Sequence, residues 1–197
     1  MLKIGGFFLS CFNASSLLAV AVATKIEGTL PTLKTFYYLC MIELEKPKNN
    51  PYSMKKIGIA CDHAGYEMKE FLVGCLAAKG FEVLDFGTAS EESVDYPDFA
   101  HQLGEAIDKG ELEIGVGLCG SGEGMAMTLN KHQSVRAGLV WCNEVAGLIR
   151  QHNNANVVVL PARFISNDEA MQFVSPFLET PFEGGRHERR VEKIKLQ

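Results

Sequence analysis

Residues 112–131 read LEIGVGLCGSGEGMAMTLNK: a short apolar run, a glycine-rich turn and then residues that favour a helix. An apolar run of this length, bounded by turn residues, is typical of a strand buried on both faces. Such strands belong to parallel sheets, in which helices cover the sheet. The stretch therefore predicts one unit of a parallel α/β sheet, with a strand over 112–118 and a helix over 124–131.

Similar segments flank this unit in both directions. Apolar runs predict strands over 56–61, 81–86, 135–141 and 156–160, and helical spacing predicts helices over 66–79, 97–109, 144–152, 167–177 and 186–195. This alternation predicts a doubly wound, five-stranded parallel sheet in three α/β/α layers, with an added C-terminal helix. Such sheets bind ligands beyond the carboxyl ends of their strands. We therefore expect the site in the loops after Cys61, Phe86, Leu118, Trp141 and Leu160.

Composition and charge exclude several classes of protein. Hydrophobic residues make up 47% of the 197 residues, enough for a sizeable core, and the formal net charge of −5 argues against a nucleic-acid partner. The six cysteines are irregularly spaced and form no C-x-x-C pair, so a structural zinc site has little support. Reduced thiols in a cytoplasmic protein are the favoured interpretation.

Residues 1–53 differ in character from the rest. Lys3, the apolar stretch that follows it and Ala21-Val22-Ala23 resemble a secretory signal, whereas polar breaks disfavour a membrane helix. Met54 opens a clean strand pattern, so we favour a third interpretation. In it, 1–53 is an extension outside the fold, attached by a misplaced start, and 54–197 is the domain. We then expect a cytoplasmic protein with no membrane partner.

The loop Cys119-Gly-Ser-Gly-Glu-Gly124 is the first candidate for chemistry. Its alternate glycines let the backbone turn and expose N–H groups ahead of a helix, which suits a phosphate or an oxyanion. An ordinary tight turn is the alternative, and the loop matches neither the dinucleotide nor the nucleoside-triphosphate fingerprint. Cys119 would have its thiolate favoured there; a buried core cysteine is the other interpretation.

Two pairs of polar residues follow predicted elements. Asp62 and His63 come after the first strand, where Asp62 either caps a helix or, with His63, binds sugar hydroxyls or phosphate. His152 and Asn153 end a helix, where the histidine is either stabilised by the helix dipole or acts as an acid in proton transfer. The residues alone leave both choices open.

The C-terminal segment offers a candidate anion site. Arg186 and Arg190 are four residues apart and share a helix face, which suits a phosphate, and Arg163 could join them. The alternative is a solvated helix with ion pairs to Glu188 and Glu192.

Taken together, these motifs resemble a known family, the ribose-5-phosphate isomerases of type B, which includes the galactose-6-phosphate isomerase subunits. The resemblance runs from Met54 to about Ile194 and lies in CDHAG at 61–65, DYP at 95–97, CGSGEG at 119–124, NK at 130–131, RQHN at 150–153 and GGRHERR at 184–190. Six motifs in the same order make a chance similarity very improbable.

The resemblance implies a flavodoxin-like (Rossmann-type) sheet. It also implies a homodimer or tetramer with the active site at the subunit interface, a sugar-phosphate substrate, and neither metal nor cofactor. It implies that Cys119 acts as the base and that His152 acts as the ring-opening acid. Sugar contacts are implied for Asp62, His63, Tyr96, Gly120, Ser121, Gly122, Glu123, Gly124 and Asn153, and phosphate contacts for Arg163, Arg186, His187 and Arg190.

The implied reaction interconverts ribose 5-phosphate and ribulose 5-phosphate in the pentose phosphate pathway, through ring opening and a cis-enediolate. A subgroup of the family uses a glutamate as base at the position of Met125, so this chain resembles the cysteine subgroup, with Glu123 as a weaker candidate base. Two alternatives stay open. One is isomerisation of a six-carbon sugar phosphate, allose or galactose 6-phosphate. The other is a non-catalytic nucleotide- or flavin-binding module, for which only Trp141 and Tyr96 offer aromatic rings.

Overall fold

The structure of the protein is a computed structural model, which describes residues 55–194. The predictions for residues 1–53 therefore lie outside the described residues. No helix within 55–194 combines the length and the apolar character that a membrane span requires. Five strands alternate with six α-helices in this range: β1 Lys56–Cys61, α1 Tyr66–Ala78, β2 Glu82–Asp85, α2 Tyr96–Asp108, β3 Gly115–Cys119, α3 Glu123–Leu129, β4 Ala137–Leu139, α4 Asn143–Asn153, β5 Val157–Pro161, α5 Asn167–Glu179 and α6 Arg186–Glu192.

The five strands form one parallel sheet in the order β2-β1-β3-β5-β4. The prediction of a doubly wound, flavodoxin-like sheet is confirmed. The order runs outward from β1 in both directions, which creates the crevice between β1 and β3 where such folds bind ligands. In the second half, β5 lies inside the sheet beside β3, and β4 forms the edge. Accordingly β5 is buried throughout, whereas the three residues of β4 are half-buried.

Strand β4 is shorter than the predicted range of 135–141. Its backbone donors on the amino-terminal side bond to side chains instead of a neighbouring strand. The N–H of Ser134 donates to Asp108 Oδ1 at 2.7 Å, and that of Arg136 donates to Asn156 Oδ1 at 2.7 Å. Strand β3 likewise begins at Gly115, three residues after the predicted start. An apolar run predicts burial, but it does not reveal where the ladder hydrogen bonds begin.

Helices cover both faces of the sheet. One core cluster joins it to α1, α4 and α5, with Ile57, Leu72 and Phe177 among its fully buried members. The second joins it to α2 and α3. Helix α3 lies very close to β3, because a Cβ at Gly117 would stand 2.8 Å from Met125 Cγ. Glycine at this position lets the helix that follows the glycine-rich loop pack directly on its own strand.

Candidate active site

Three loops at the carboxyl edge of the sheet are joined by backbone hydrogen bonds. They follow β1, β3 and β5, which are neighbours in the sheet. The N–H of Asp62 donates to Leu118 C=O at 3.2 Å, that of Ala162 to Cys119 C=O at 3.0 Å, and that of Arg163 to Gly120 C=O at 3.0 Å. Backbone hydrogen bonds alone thus bring the predicted residues of all three loops close together at this edge of the sheet.

The loop after β3 presents the Cys119 thiol and a row of backbone donors. Cys119 ends the strand and is only 4% exposed. The N–H groups of Gly120, Ser121 and Gly122 donate to no other group among residues 55–194. Gly122 has φ +79°, and a Cβ there would lie 2.3 Å from Leu139 Cδ1. Only glycine fits this conformation and this space, so the turn that points the N–H groups outward depends on it.

Cys61 also ends a strand at this edge, and its surroundings separate it from Cys119. Burial raises the pKa of the Cys61 thiol to about 12, although a backbone hydrogen bond from Thr88 and the charge of Lys69 partly oppose the shift. A thiol with so high a pKa stays protonated at neutral pH and cannot serve as a base. Position along the sequence could not distinguish these two cysteines, whereas the raised pKa of Cys61 removes it as a candidate base.

Asp62 performs the capping role, one of the two roles that the sequence left open, and its contact with a ligand stays a prediction. Its Oδ1 accepts hydrogen bonds from the N–H groups of Ala64 and Gly65, at 3.0 and 3.2 Å, and so caps the short helical turn His63–Gly65. This cap uses one carboxylate oxygen and leaves Oδ2 without a hydrogen bond among the described residues. The cap fixes the carboxylate in the loop after β1, next to the end of β3.

His63 is held by the loop between β2 and α2. Its Nδ1 lies 3.3 Å from both the N–H and the C=O of Val94, so it accepts from one or donates to the other according to its tautomer. No sequence pattern pointed to Val94, because a backbone group carries no side-chain signature. The contact ties the ring of His63 to the segment that precedes α2.

Tyr96 and Arg163 lie against the glycines of the β3–α3 loop. A Cβ at Gly124 would stand 2.4 Å from Tyr96 Cζ, so the tyrosine ring packs directly on that backbone. A Cβ at Gly120 would stand 3.3 Å from the Nε of the exposed Arg163. The structure therefore brings both predicted residues to the loop that carries Cys119.

The structure also shows the surroundings of Met125 and Glu123, the two positions that the sequence analysis discussed for a carboxylate base. Met125, where a subgroup of the family carries its glutamate, is completely buried and packs against β3. Glu123, the weaker candidate base, is the first residue of α3 and has an exposed side chain. The exposure of Glu123 places it in solvent, whereas the burial of Cys119 removes the thiol from bulk water.

A second group of predicted residues surrounds the end of α4. The helix ends at Asn153, and Asn154 takes a left-handed conformation with φ +46°. Arg150 Nη1 donates to the Asn154 side chain at 3.2 Å and to the C=O of Ala155. These bonds fix the last turn, which carries His152 and Asn153. The N–H of Glu183 donates to Gln151 C=O at 3.1 Å and brings the segment before α6 alongside.

Four charged or titratable side chains meet at this second group. The rings of His152 and His187 are stacked, with centroids 4.3 Å apart and planes inclined by 1°. Arg186 Nε donates to His187 Nε2 at 3.3 Å, and Glu183 Oε2 lies 3.7 Å from the same nitrogen. Glu183 is a functional neighbour that the sequence patterns did not reveal, although its spacing of four residues from His187 could have pointed to it.

The two groups lie at opposite edges of the sheet. Helix α4 runs back from the carboxyl edge, so its end reaches the amino edge, where Gly115 N–H donates to Asn156 C=O at 2.9 Å. Strand β3 spans Gly115–Cys119, and four residue steps cover about 13 Å along the strand. One chain therefore unites Cys119 with Asp62, His63, Tyr96 and Arg163, and separately His152 with Asn153, Arg186, His187 and Arg190.

Known proteins share both the sequence and the fold. A family model described as Ribose/Galactose Isomerase matches residues 57–194. Ribose-5-phosphate isomerase B of Escherichia coli K12 is 42% identical over 143 residues, which cover 72% of this chain and 95% of that protein.

Solved structures agree with this match. A ribose 5-phosphate isomerase structure from Thermotoga maritima is 50% identical with a TM-score of 0.70, over 72% of this chain and 97% of that one. Ribose-5-phosphate isomerase B from Mycoplasma genitalium, solved with bound ribulose 5-phosphate, is 41% identical with a TM-score of 0.69, over 72% and 94%. The matches span nearly the whole length of these relatives, and the chain belongs to the ribose/galactose isomerase family.

Proposed function

We propose that this chain interconverts ribose 5-phosphate and ribulose 5-phosphate. The name of the Escherichia coli relative and the ribulose 5-phosphate bound in the Mycoplasma genitalium structure both support this substrate pair. They favour a five-carbon sugar over allose or galactose 6-phosphate. The family match gives no support to a non-catalytic nucleotide- or flavin-binding module.

In the proposed mechanism Cys119 moves the proton between the two reacting carbons. Its thiolate takes the proton from carbon 2 of the open-chain aldose, and the carbonyl electrons shift onto oxygen 1 to form a cis-enediolate. The thiol then returns the proton to carbon 1, and the carbon-2 hydroxyl proton passes to oxygen 1, so that carbon 2 becomes the ketone, oxygen 1 becomes a hydroxyl and the thiolate is regenerated. The free N–H groups of Gly120, Ser121 and Gly122 are suited to hold the enediolate oxygens.

Ring opening and phosphate binding fall to the second group of residues. His152 donates a proton to the ring oxygen of the cyclic aldose as its bond to carbon 1 breaks, and a second group takes the carbon-1 hydroxyl proton, which leaves the open-chain aldehyde. Asn153 hydrogen-bonds the sugar. The exposed guanidiniums of Arg186 and Arg190 hold the phosphate, together with Arg163 at the carboxyl edge. Binding energy from the distant phosphate orients the reacting carbons.

The observation that carries this proposal is the separation of the two groups. The base lies at the carboxyl edge of the sheet, and the acid with two arginines lies at the amino edge, about 13 Å away along β3 alone. A five-carbon sugar phosphate cannot bridge them within one chain. We infer that a second copy supplies the missing group, so that a homodimer holds two complete sites.

A subunit-mixing experiment tests both the activity and the shared site. Cys119→Ala and His152→Ala homodimers should each lose nearly all conversion of ribose 5-phosphate. After dissociation and reassociation of an equal mixture, half of the dimers are mixed, and each mixed dimer carries one intact site. We expect about a quarter of wild-type activity to return. Activity that never returns would show that both residues act within one chain.

The compartment is inferred from the thiols. All four cysteines of the described range, Cys61, Cys75, Cys119 and Cys142, are free. A reducing cytoplasm would keep Cys119 available as a base. Expression with the native N-terminus followed by fractionation, with a cytoplasmic marker enzyme as control, tests this assignment.

A further inference from the structure

His187 occupies a position that the proposed reaction leaves unexplained. It lies in the first turn of α6 and is 5% exposed, whereas Arg186 and Arg190 on the same helix are exposed. Its ring is stacked flat against His152, with centroids 4.3 Å apart. Little of its surface remains for a ligand, in contrast to the phosphate contact that the family resemblance implies for this residue.

The polar partners of His187 favour its neutral form. Arg186 Nε donates to Nε2 at 3.3 Å, and a ring nitrogen that accepts a hydrogen bond carries no proton, so the ring proton lies on Nδ1. Burial lowers the pKa of His187 below 6.5, and His152, Arg186 and Arg190 lower it further. Glu183, 3.7 Å from Nε2, opposes the shift without cancelling it. The ring is therefore neutral at pH 7.

A cation is a poor occupant for this cluster. His152, Glu183 and His187 offer three ligand atoms within 4.8 Å of one another. However, Nε2 of His187 already accepts from Arg186, and the guanidiniums of Arg186 and Arg190 repel a positive ion. The arrangement suits the control of a proton better than the binding of a metal.

We propose that His187 is a positioning residue for His152: its ring, buried and stacked flat on that of His152, fixes the plane in which His152 faces the ring oxygen of the sugar. Two positively charged rings at 4.3 Å would repel each other. The inference rests on the proposed function, in which His152 opens the sugar ring.

The two directions of the reaction separate this role from a general structural one. Ribulose 5-phosphate has no ring to open, because its 5-hydroxyl is esterified and its ketone at carbon 2 cannot close a five-membered ring. Starting from the ketose, a variant defective in ring opening can release open-chain aldose, which then cyclises in solution. Only the reaction that begins from cyclic ribose 5-phosphate needs the acid.

The test compares His187→Ala with His187→Phe, which keeps a flat ring but cannot titrate. For His187→Ala we expect kcat with ribose 5-phosphate to fall about tenfold or more, with KM changed less than about threefold, because an acid contributes on the order of 10²–10⁴ to such steps. The initial rate with ribulose 5-phosphate should fall far less. His187→Phe should restore most of the forward rate. Arg189→Ala, an exposed change on the same helix, should alter neither direction.

Three results would overturn the inference in an active enzyme: equal losses in both directions, a higher KM with unchanged kcat, or His187→Phe as slow as His187→Ala. Histidine NMR of the wild-type dimer gives a readout that does not depend on activity. We expect the His187 ring to be neutral at pH 6.5 with Nε2 unprotonated, and a protonated Nε2 would contradict the inference even if His187→Ala failed to fold. A wild-type protein without isomerase activity would instead refute the proposed function.

Discussion

Lys69 is the largest fully buried side chain among the described residues. The change Asp85→Asn tests how strongly the free energy of unfolding depends on its carboxylate partner. Its Nζ donates to Asp85 Oδ2 and, at 2.7 Å, to Glu70 Oε1. The Lys69 side chain is 1% exposed, whereas those of Asp85 and Glu70 are 39% and 53% exposed. The cluster therefore consists of one buried cation and two carboxylates that still reach water.

This asymmetry predicts unequal costs for the two halves of the pair. Asp85→Asn leaves a buried ammonium without its main partner, and breaking a buried pair in this way costs about 3–5 kcal/mol. Glu70 remains and water reaches Asp85, so we expect about 2–3 kcal/mol. Lys69→Met removes the buried charge and fills similar volume, so its cost should be about 1 kcal/mol or less.

Urea unfolding of the two variants and of the double variant measures these costs. Asparagine keeps Oδ1, the oxygen that accepts from Gly87 N–H at 2.8 Å, so the comparison isolates the ammonium. The double variant should be no less stable than Lys69→Met, because no buried charge remains and Glu70 still reaches water. If Lys69→Met costs as much as Asp85→Asn, desolvation of the ammonium does not set the cost of breaking the pair, and the reasoning fails.

Five further changes test other parts of the reasoning: a rise in pH, substitution of Cys119, substitution of Gly122, removal of metal ions, and a chain that begins at Met54. Burial lowers the pKa of Lys69, but hydrogen bonds to Asp85 and Glu70 outweigh burial and raise it. The stabilisation by Lys69 is therefore complete below the unfolded pKa of about 10.4 and is lost as pH rises through the higher folded pKa. The urea midpoint of the wild type should accordingly fall more steeply above a pH of about 10.4 than that of Lys69→Met. Cys119→Ala should lose at least about 10²-fold in kcat and still bind ribose 5-phosphate by calorimetry, and retained turnover would transfer the base to Glu123. Gly122→Ala should destabilise the fold by about 1–3 kcal/mol, from its φ of +79° and the clash with Leu139, and an unchanged midpoint would contradict the requirement for glycine. EDTA should leave the rate unchanged, because the proposed proton transfer uses no metal; inactivation reversed by a divalent ion would refute it. A chain that begins at Met54 should fold, dimerise and keep full activity, whereas an insoluble product would place 1–53 in the fold.

Sequence patterns predicted the features that depend on local physics. The apolar runs at β1 and β5 and the helical spacing of α1 and α5 indicated the correct elements. A strand buried on both faces is apolar throughout, whereas a helix that covers a sheet has apolar residues only at the spacing of its buried face. The loops after all five strands were predicted to hold the site because parallel strands share a carboxyl edge, and those after β1, β3 and β5 are joined by hydrogen bonds. The position of β5 inside the sheet was not predicted, since the direction of a crossover leaves no local signal. The contact of Val94 with His63 and the stack of His152 on His187 were missed for the same reason, because residues far apart in sequence form them.

The placement of the proposed base and acid at opposite edges of the sheet restricts how copies can assemble into an active enzyme. If each carboxyl edge must meet the amino edge of another copy, a head-to-tail arrangement that does not close leaves an unfilled half-site at each end and grows into a filament. A two-fold axis with the two sheets antiparallel satisfies both edges at once, because the same contact repeated in reverse completes the second site. The geometry of one chain thus favours closure at two subunits, and dilution that separates them should abolish catalysis while leaving each sheet folded.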